Sequence, residues 1–99
     1  MSARITLGTK EYLNAEVTDE TGSVTDLVAA GATGIKFDVR DKDKALIITD
    51  QAATASGMVI QCLVDTSGWT NSGVYYLYPK FTLGSEVVVL GPEECYAVL

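Results

Sequence analysis

The stretch DVRDKDK comes closest to a chemical site, because it sets Asp38, Asp41 and Asp43 within one short run. Carboxylates so spaced are the raw material of a calcium loop, which needs about 6–8 oxygen ligands. The glycine and distal glutamate of a helix-loop-helix calcium site are missing, and Lys42 and Lys44 are interleaved, so a solvated turn is expected. Glu93 and Glu94 beside Cys95 are a second carboxylate group. Two carboxylates can do acid and base work on a glycan only across a cleft at a set separation. This pair reads instead as the entry to a strand.

The chain has no histidine, which removes a Ser-His-Asp triad, a Cys-His pair and a His-based zinc site. No glycine-rich loop ends in Lys-Ser or Lys-Thr, and no Gly-x-Gly-x-x-Gly follows a strand, so the nucleotide-binding motifs are missing as well. No catalytic residue, cofactor or metal is expected. Cys62 and Cys95 allow one disulfide. Both sit in apolar, strand-like segments of a chain whose start, MSARITLGTK, lacks a signal-peptide core, so buried free thiols are the leading expectation and a late-formed bridge the other.

What remains is aromatic. In NSGVYYLYPKF the spacing Asn71-Ser72-Gly73-Val74-Tyr75-Tyr76-Leu77 parallels the Asp-x-Gly-x-Tyr-x-Cys pattern around the tyrosine corner of immunoglobulin-like sandwiches. Tyr75, with Gly73 and Asn71, is expected to form that corner, its hydroxyl turned back onto the preceding loop. Leu77 fills the position of the disulfide cysteine. Tyr75, Leu77 and Phe81 then share a core face, and Tyr76, Tyr78 and Lys80 share the outward one. The outward tyrosines read either as an interface, where aromatics are enriched, or as ordinary cross-strand pairs. Trp69, in SGWTNSG, is either packed over the end of the core or a sugar-stacking platform.

The elements that must hold these residues are strands. Leu13, Ala15 and Val17 alternate with Asn14, Glu16 and Thr18, and Ile35, Phe37 and Val39 alternate with Lys36, Asp38 and Arg40. Both are the period of a half-buried strand. Further strands are expected at ALIIT, at GMVIQCLV with Met58, Ile60, Cys62 and Val64 on one face and Gln61 on the other, at GVYYLYPKFTL, at EVVVL and at ECYAVL. DQAATAS reads as a connection, and DLVAAGA has room for one helical turn. Short strands punctuated by glycine and polar turns predict an all-β, immunoglobulin-like antiparallel β-sandwich of about seven to eight strands, one domain over residues 1–99.

Charge narrows the partners. A net charge of -6 repels a phosphate backbone, and the bases Arg4, Lys10, Lys36, Arg40 and Lys80 are scattered along the chain. No apolar run has the roughly 18–20 residues of a membrane span. The expectation is a soluble chain made in the cytoplasm, with neither nucleic acid nor membrane as partner.

One longer run adds a resemblance. Thr25-Asp26-Leu27 and Gly31-Ala32-Thr33, followed by Ile35, Phe37, Val39 and then Arg40-Asp41, resembles the Asp-Leu-Thr-Gly-Ala-Thr-Val-x-Phe-x-Val-Arg-Asp run of immunoglobulin-like domains in phage baseplate upper proteins and related tail proteins. The order of features is similar over about residues 5–99, with Val28-Ala29-Ala30 as an insertion between Leu27 and Gly31. The resemblance implies a β-sandwich that attaches a virion appendage without catalysis. The expected protein is then a minor tail or tail-tip (baseplate) subunit of a phage virion. Its expected partners are other virion structural proteins, and copies of itself, in a symmetric assembly, with Tyr76, Tyr78, Lys80 and Trp69 as the docking residues. A capsid decoration protein is the neighbouring alternative, and a carbohydrate-binding module using Trp69, Tyr76 and Tyr78 is the alternative from another class.

Overall fold

The structure is a computed structural model that describes residues 3–69 and 71–98. It is an all-β sandwich of two sheets, and nine strands build it among the described residues: β1 (Ala3–Thr6), β2 (Lys10–Glu16), β3 (Thr33–Asp41), β4 (Leu46–Ala52), β5 (Thr54–Ser56), β6 (Val59–Asp65), β7 (Gly73–Leu83), β8 (Glu86–Val89) and β9 (Glu93–Val98). The larger sheet runs β1-β9-β7-β3-β4, with β8 also on β7; the smaller runs β2-β6-β5. All pairs are antiparallel except β1 with β9, which is parallel.

The strand count exceeds the sequence expectation because Ala3–Thr6 forms a strand that the pattern did not mark and because DQAATAS is not a connection. Its first residues extend β4, and Thr54–Ser56 pairs with β6 as a separate edge strand. These are sheet edges with almost every residue exposed, so no inward face imposes alternation on the sequence. DLVAAGA does make one tight turn, in which the Asp26 carbonyl accepts the Ala30 N–H at 3.0 Å and Asp26 Oδ1 accepts the Ala29 N–H at 3.1 Å.

The core lies between the sheets. Phe37 and Val39 from β3, Ile60, Cys62 and Val64 from β6, and Leu77 and Phe81 from β7 are buried in it, with Leu13 and Ala15 from β2 beneath. Ile35, at the start of β3, packs against this cluster but is only half-buried. β7 is the longest element and is shared. Gly73 to Leu77 pair with β9, Lys80 to Leu83 pair with β8, and the opposite edge pairs with β3.

A proline in so central a strand normally removes a ladder bond. Pro79 falls in the gap between the β9 and β8 pairings. Its carbonyl accepts the Leu90 N–H at 2.8 Å on that side, and in an extended residue the nitrogen points the same way as the carbonyl. The missing N–H therefore faces the gap. Gly91 sits over the same place, where a Cβ would stand 2.9 Å from the Leu77 carbonyl oxygen.

Phe37 is completely buried, so Phe37→Ala should cost about 3–5 kcal/mol in urea unfolding, the usual range for emptying a core aromatic site. Ile35→Ala should cost less. Equal and small losses at both positions would contradict this register.

Candidate functional site

The carboxylates of DVRDKDK are used by the chain itself. Asp41 Oδ1 accepts the Asp43 and Ala45 N–H groups at 2.8 and 2.9 Å, closing the β3–β4 turn. Asp38 accepts the Asp50 N–H at 2.8 Å and pairs with the Lys80 ammonium at 3.1 Å. Among the described residues no group of three or more His, Cys, Asp or Glu is placed to hold a metal ion. A polar cavity of about 400 Å³ opens beside this turn, with Asp41, Lys42, Asp43, Asn71 and Ser72 on its walls.

The tyrosine at the start of β7 turns back onto its loop. Gly73 has φ 126°, a left-handed conformation that glycine adopts freely, and this bend brings the Tyr75 hydroxyl to the Asn71 carbonyl, to which it donates at 2.7 Å. The phenol is 6% exposed. Burial, with the Asp41 and Cys95 charges behind it, pushes its pKa up. The Trp69 ring stacks on the Tyr75 ring with centroids 4.2 Å apart, so Tyr75 covers one indole face. Trp69 is half-buried and packs against the core.

On the outer face of the larger sheet, Tyr76, Tyr78 and Lys80 lie in a row but are half-buried rather than free. Their cross-strand neighbours on β3 are Arg40, Asp38 and Lys36, so the face is ionic as well as aromatic. Lys44 Nζ stands 3.5 Å from the centroid of the Tyr76 ring, a cation–π contact. Lys36 and Lys80, like charges directly opposite, are tolerated because Asp50 and Asp38 both pair with Lys80. Asp50 reaches it from a bulge in β4, where it takes φ 51°. The Asp50 carboxylate, and after it Asp38, raises the Lys80 pKa, and Lys80 lowers that of Asp50.

Three residues that sequence reasoning did not assign join this face. Val74 pairs with Tyr96 on β9, and Tyr96 with Arg4 on β1. With Tyr76, and with Glu94 opposite it on β9, they make an aromatic strip that carries one base and one acid across three strands. Strand alternation signals that Val74 and Tyr96 point outward, but their meeting depends on the β1-β9-β7 order. The bases Arg4, Lys36, Arg40 and Lys80, scattered in sequence, are therefore gathered on one face.

Thr66 is a second missed residue. It is the one buried polar side chain among the described residues and is wholly enclosed. Its Oγ1 accepts the Gly8 and Thr9 N–H groups at 3.0 and 3.2 Å and lies 3.0 Å from the Thr9 carbonyl, to which it can donate. It clasps the β1–β2 turn to the end of β6, across the two sheets. In the sequence DTSG it looks like any loop threonine.

Cys62 and Cys95 are buried free thiols. Burial pushes Cys62 up to about 12 and Cys95 up to about 11. No protein-family model, no curated protein and no solved structure matches the chain.

Thr66→Val should lose about 1–3 kcal/mol in urea unfolding, because two N–H groups lose a buried acceptor, while Thr66→Ser keeps most of the stability. Tyr75→Phe should cost about 1 kcal/mol, since the Asn71 carbonyl it frees lies in an exposed residue that water reaches. A Thr66→Val protein as stable as the parent would remove the clasp from the account.

The raised thiol values carry a sign. Their contribution to stability is whole below the ordinary thiol value of 9.0 and is lost as the pH rises through about 11 and about 12. In the folded protein near neutral pH, both thiols should resist alkylation and react only when denaturant opens the sandwich. Rapid labelling of the folded chain would contradict their enclosure.

Proposed function

We propose that this protein is a non-enzymatic structural subunit of a phage virion, docked at the tail tip through the outer face of its larger sheet. The observation that carries the reading is the run from Thr25 to Asp41, which resembles the immunoglobulin-like domains of baseplate upper proteins. Here it supplies the capped turn at Asp26 and the central strand β3. The face beside it suits a protein partner. Tyr76, Tyr78, Val74 and Tyr96 offer aromatic and aliphatic area, and Arg4, Arg40 and Lys44 surround them with donors. Aromatic residues and arginine are the types enriched at such interfaces.

The sugar-binding alternative draws less support. Its central platform, Trp69, already gives one ring face to Tyr75.

Replacing Tyr76 and Tyr78 together by Ser tests the docking face. The double variant should still unfold cooperatively, while its incorporation into particles, measured by competition with tagged parent protein, falls about tenfold or more, as loss of hot-spot aromatics does. Undiminished incorporation would move the docking surface off this face.

A further inference from the structure

The sheet edges differ in how they are guarded. An open edge offers unpaired N–H and C=O groups to any other strand, and folded proteins blunt such edges with charges, prolines or bulges. β4 has bulged pairing and bears Asp50, β2 carries Lys10, Glu11 and Glu16, β1 carries Arg4, and β5 has no large apolar side chain. β8 has no such guard beyond its first residue. It reads Glu86-Val87-Val88-Val89, pairs with β7 without a register shift, and exposes Val87 and Val89 at 69% and 61%. Val87 lies beside Thr82, and Thr82 beside Thr33, so this edge is at the Thr33 end of the sandwich.

Hydrogen-bond parity in the β7–β8 hairpin fixes which groups are free. The Leu90 N–H donates to the Pro79 carbonyl at 2.8 Å, and along an antiparallel ladder bonded and non-bonded pairs alternate. Val88 and Glu86, opposite Phe81 and Leu83, are therefore in bonded pairs and aim their backbone groups at β7. Val87 and Val89 fall in the non-bonded pairs with Thr82 and Lys80, so their N–H and C=O groups point out of the sheet. Among the described residues no other strand pairs with β8, and no loop donates a backbone bond to it. The two residues with free backbone groups are thus the two with exposed aliphatic side chains.

From this edge we propose that the protein pairs with a second copy of itself, β8 against β8, antiparallel about a two-fold axis through Val88. In that register Val87 exchanges both backbone bonds with Val89 of the second copy, and Val89 does so with its Val87, so four bonds satisfy every free group of the two edges. Sliding the register by two residues either way sets Val89 against Ser85 or Val87 against Gly91, outside the strand. Only the centred register uses the whole edge, and its symmetry singles out a copy of the same strand as the occupant. The side chains agree with it. Val87 lies against Val89 of the second copy on the outer face, a β-branched pair that sheets favour, and Glu86 falls opposite Leu90, so no two acids are opposed. The contact joins one surface to itself and closes at two. A four-residue edge covers far less than the roughly 800 Å² per partner of a standard interface, so the pairing is weak and fills at high local concentration. It does not rest on the virion reading, since it uses the β8 edge and not Tyr76 or Tyr78.

Single cysteines test the register. Across a non-bonded antiparallel pair the Cα atoms lie about 4.5 Å apart, within the roughly 4.4–6.8 Å that a disulfide spans, so Val88→Cys should link to its own copy on mild oxidation. Val87→Cys stands two residues off its copy, beyond the reach of about 7 Å. It should link at least about tenfold more slowly, although Val87 is exposed and Val88 half-buried. Cys62 and Cys95 are buried and should stay out of both links. In sedimentation velocity the parent should show a monomer–dimer equilibrium that stops at two. Val89→Pro removes an N–H that only the second copy uses, so it should unfold as the parent does yet dimerise at least about tenfold more weakly. A parent that stays monomeric up to about 1 mM, the weakest range of specific binding, would overturn the proposal. So would growth past the dimer, Val87→Cys linking as fast as Val88→Cys, or a Val89→Pro chain that loses its fold or dimerises as the parent does.

Discussion

The structure depends on the sharing of β7. Eleven residues long, it pairs with β3 along one edge and with both β9 and β8 along the other. Its inward residues Tyr75, Leu77, Pro79 and Phe81 are all buried, so one strand supplies a side chain to nearly every level of the core. This sharing imposes two local solutions. Pro79 occupies the point where the edge partner changes, and Gly91 lets the crossing chain come close to the Leu77 carbonyl. The Tyr75 hydroxyl then ties the start of β7 to its own loop, and Thr66 ties the other side of that loop to the β1–β2 turn.

How much of this was legible in the sequence follows from range. Alternation in β2, β3 and β6 is local, because one face of each strand meets the core and the other meets water, and Leu13, Phe37 and Cys62 lie where that period puts them. The corner is legible for the same reason, since Asn71, Gly73 and Tyr75 are close neighbours. β5 and the last residues of β4 were missed, although ALIIT marked where β4 begins, because edge segments exposed on both faces have no period to read. Thr66 gave no signal because its partners at Gly8 and Thr9 lie 58 and 57 residues away. The candidate face was half legible. Tyr76, Tyr78 and Lys80 followed from alternation, but the charged neighbours that half-bury them, and the meeting of Tyr96 with Val74, follow from strand order.

Charge placement links the fold to its proposed work. The larger sheet gathers Arg4, Lys36, Arg40 and Lys80, while the loops at the Thr33 end hold acids alone. An acidic chain thereby acquires a face on which aromatic side chains lie among paired charges. In the proposed virion role such surfaces would make the attachment, and repeated copies in a symmetric assembly would multiply weak contacts into a stable one.

The most direct test of the virion account is quantitative mass spectrometry of purified particles of the phage to which the account assigns this chain, before and after heads are separated from tails. The account predicts that the protein remains with the tail fraction in a fixed whole-number ratio to the other tail proteins. Recovery with the heads would make it a decoration protein. Its complete absence from the particles would contradict the structural role.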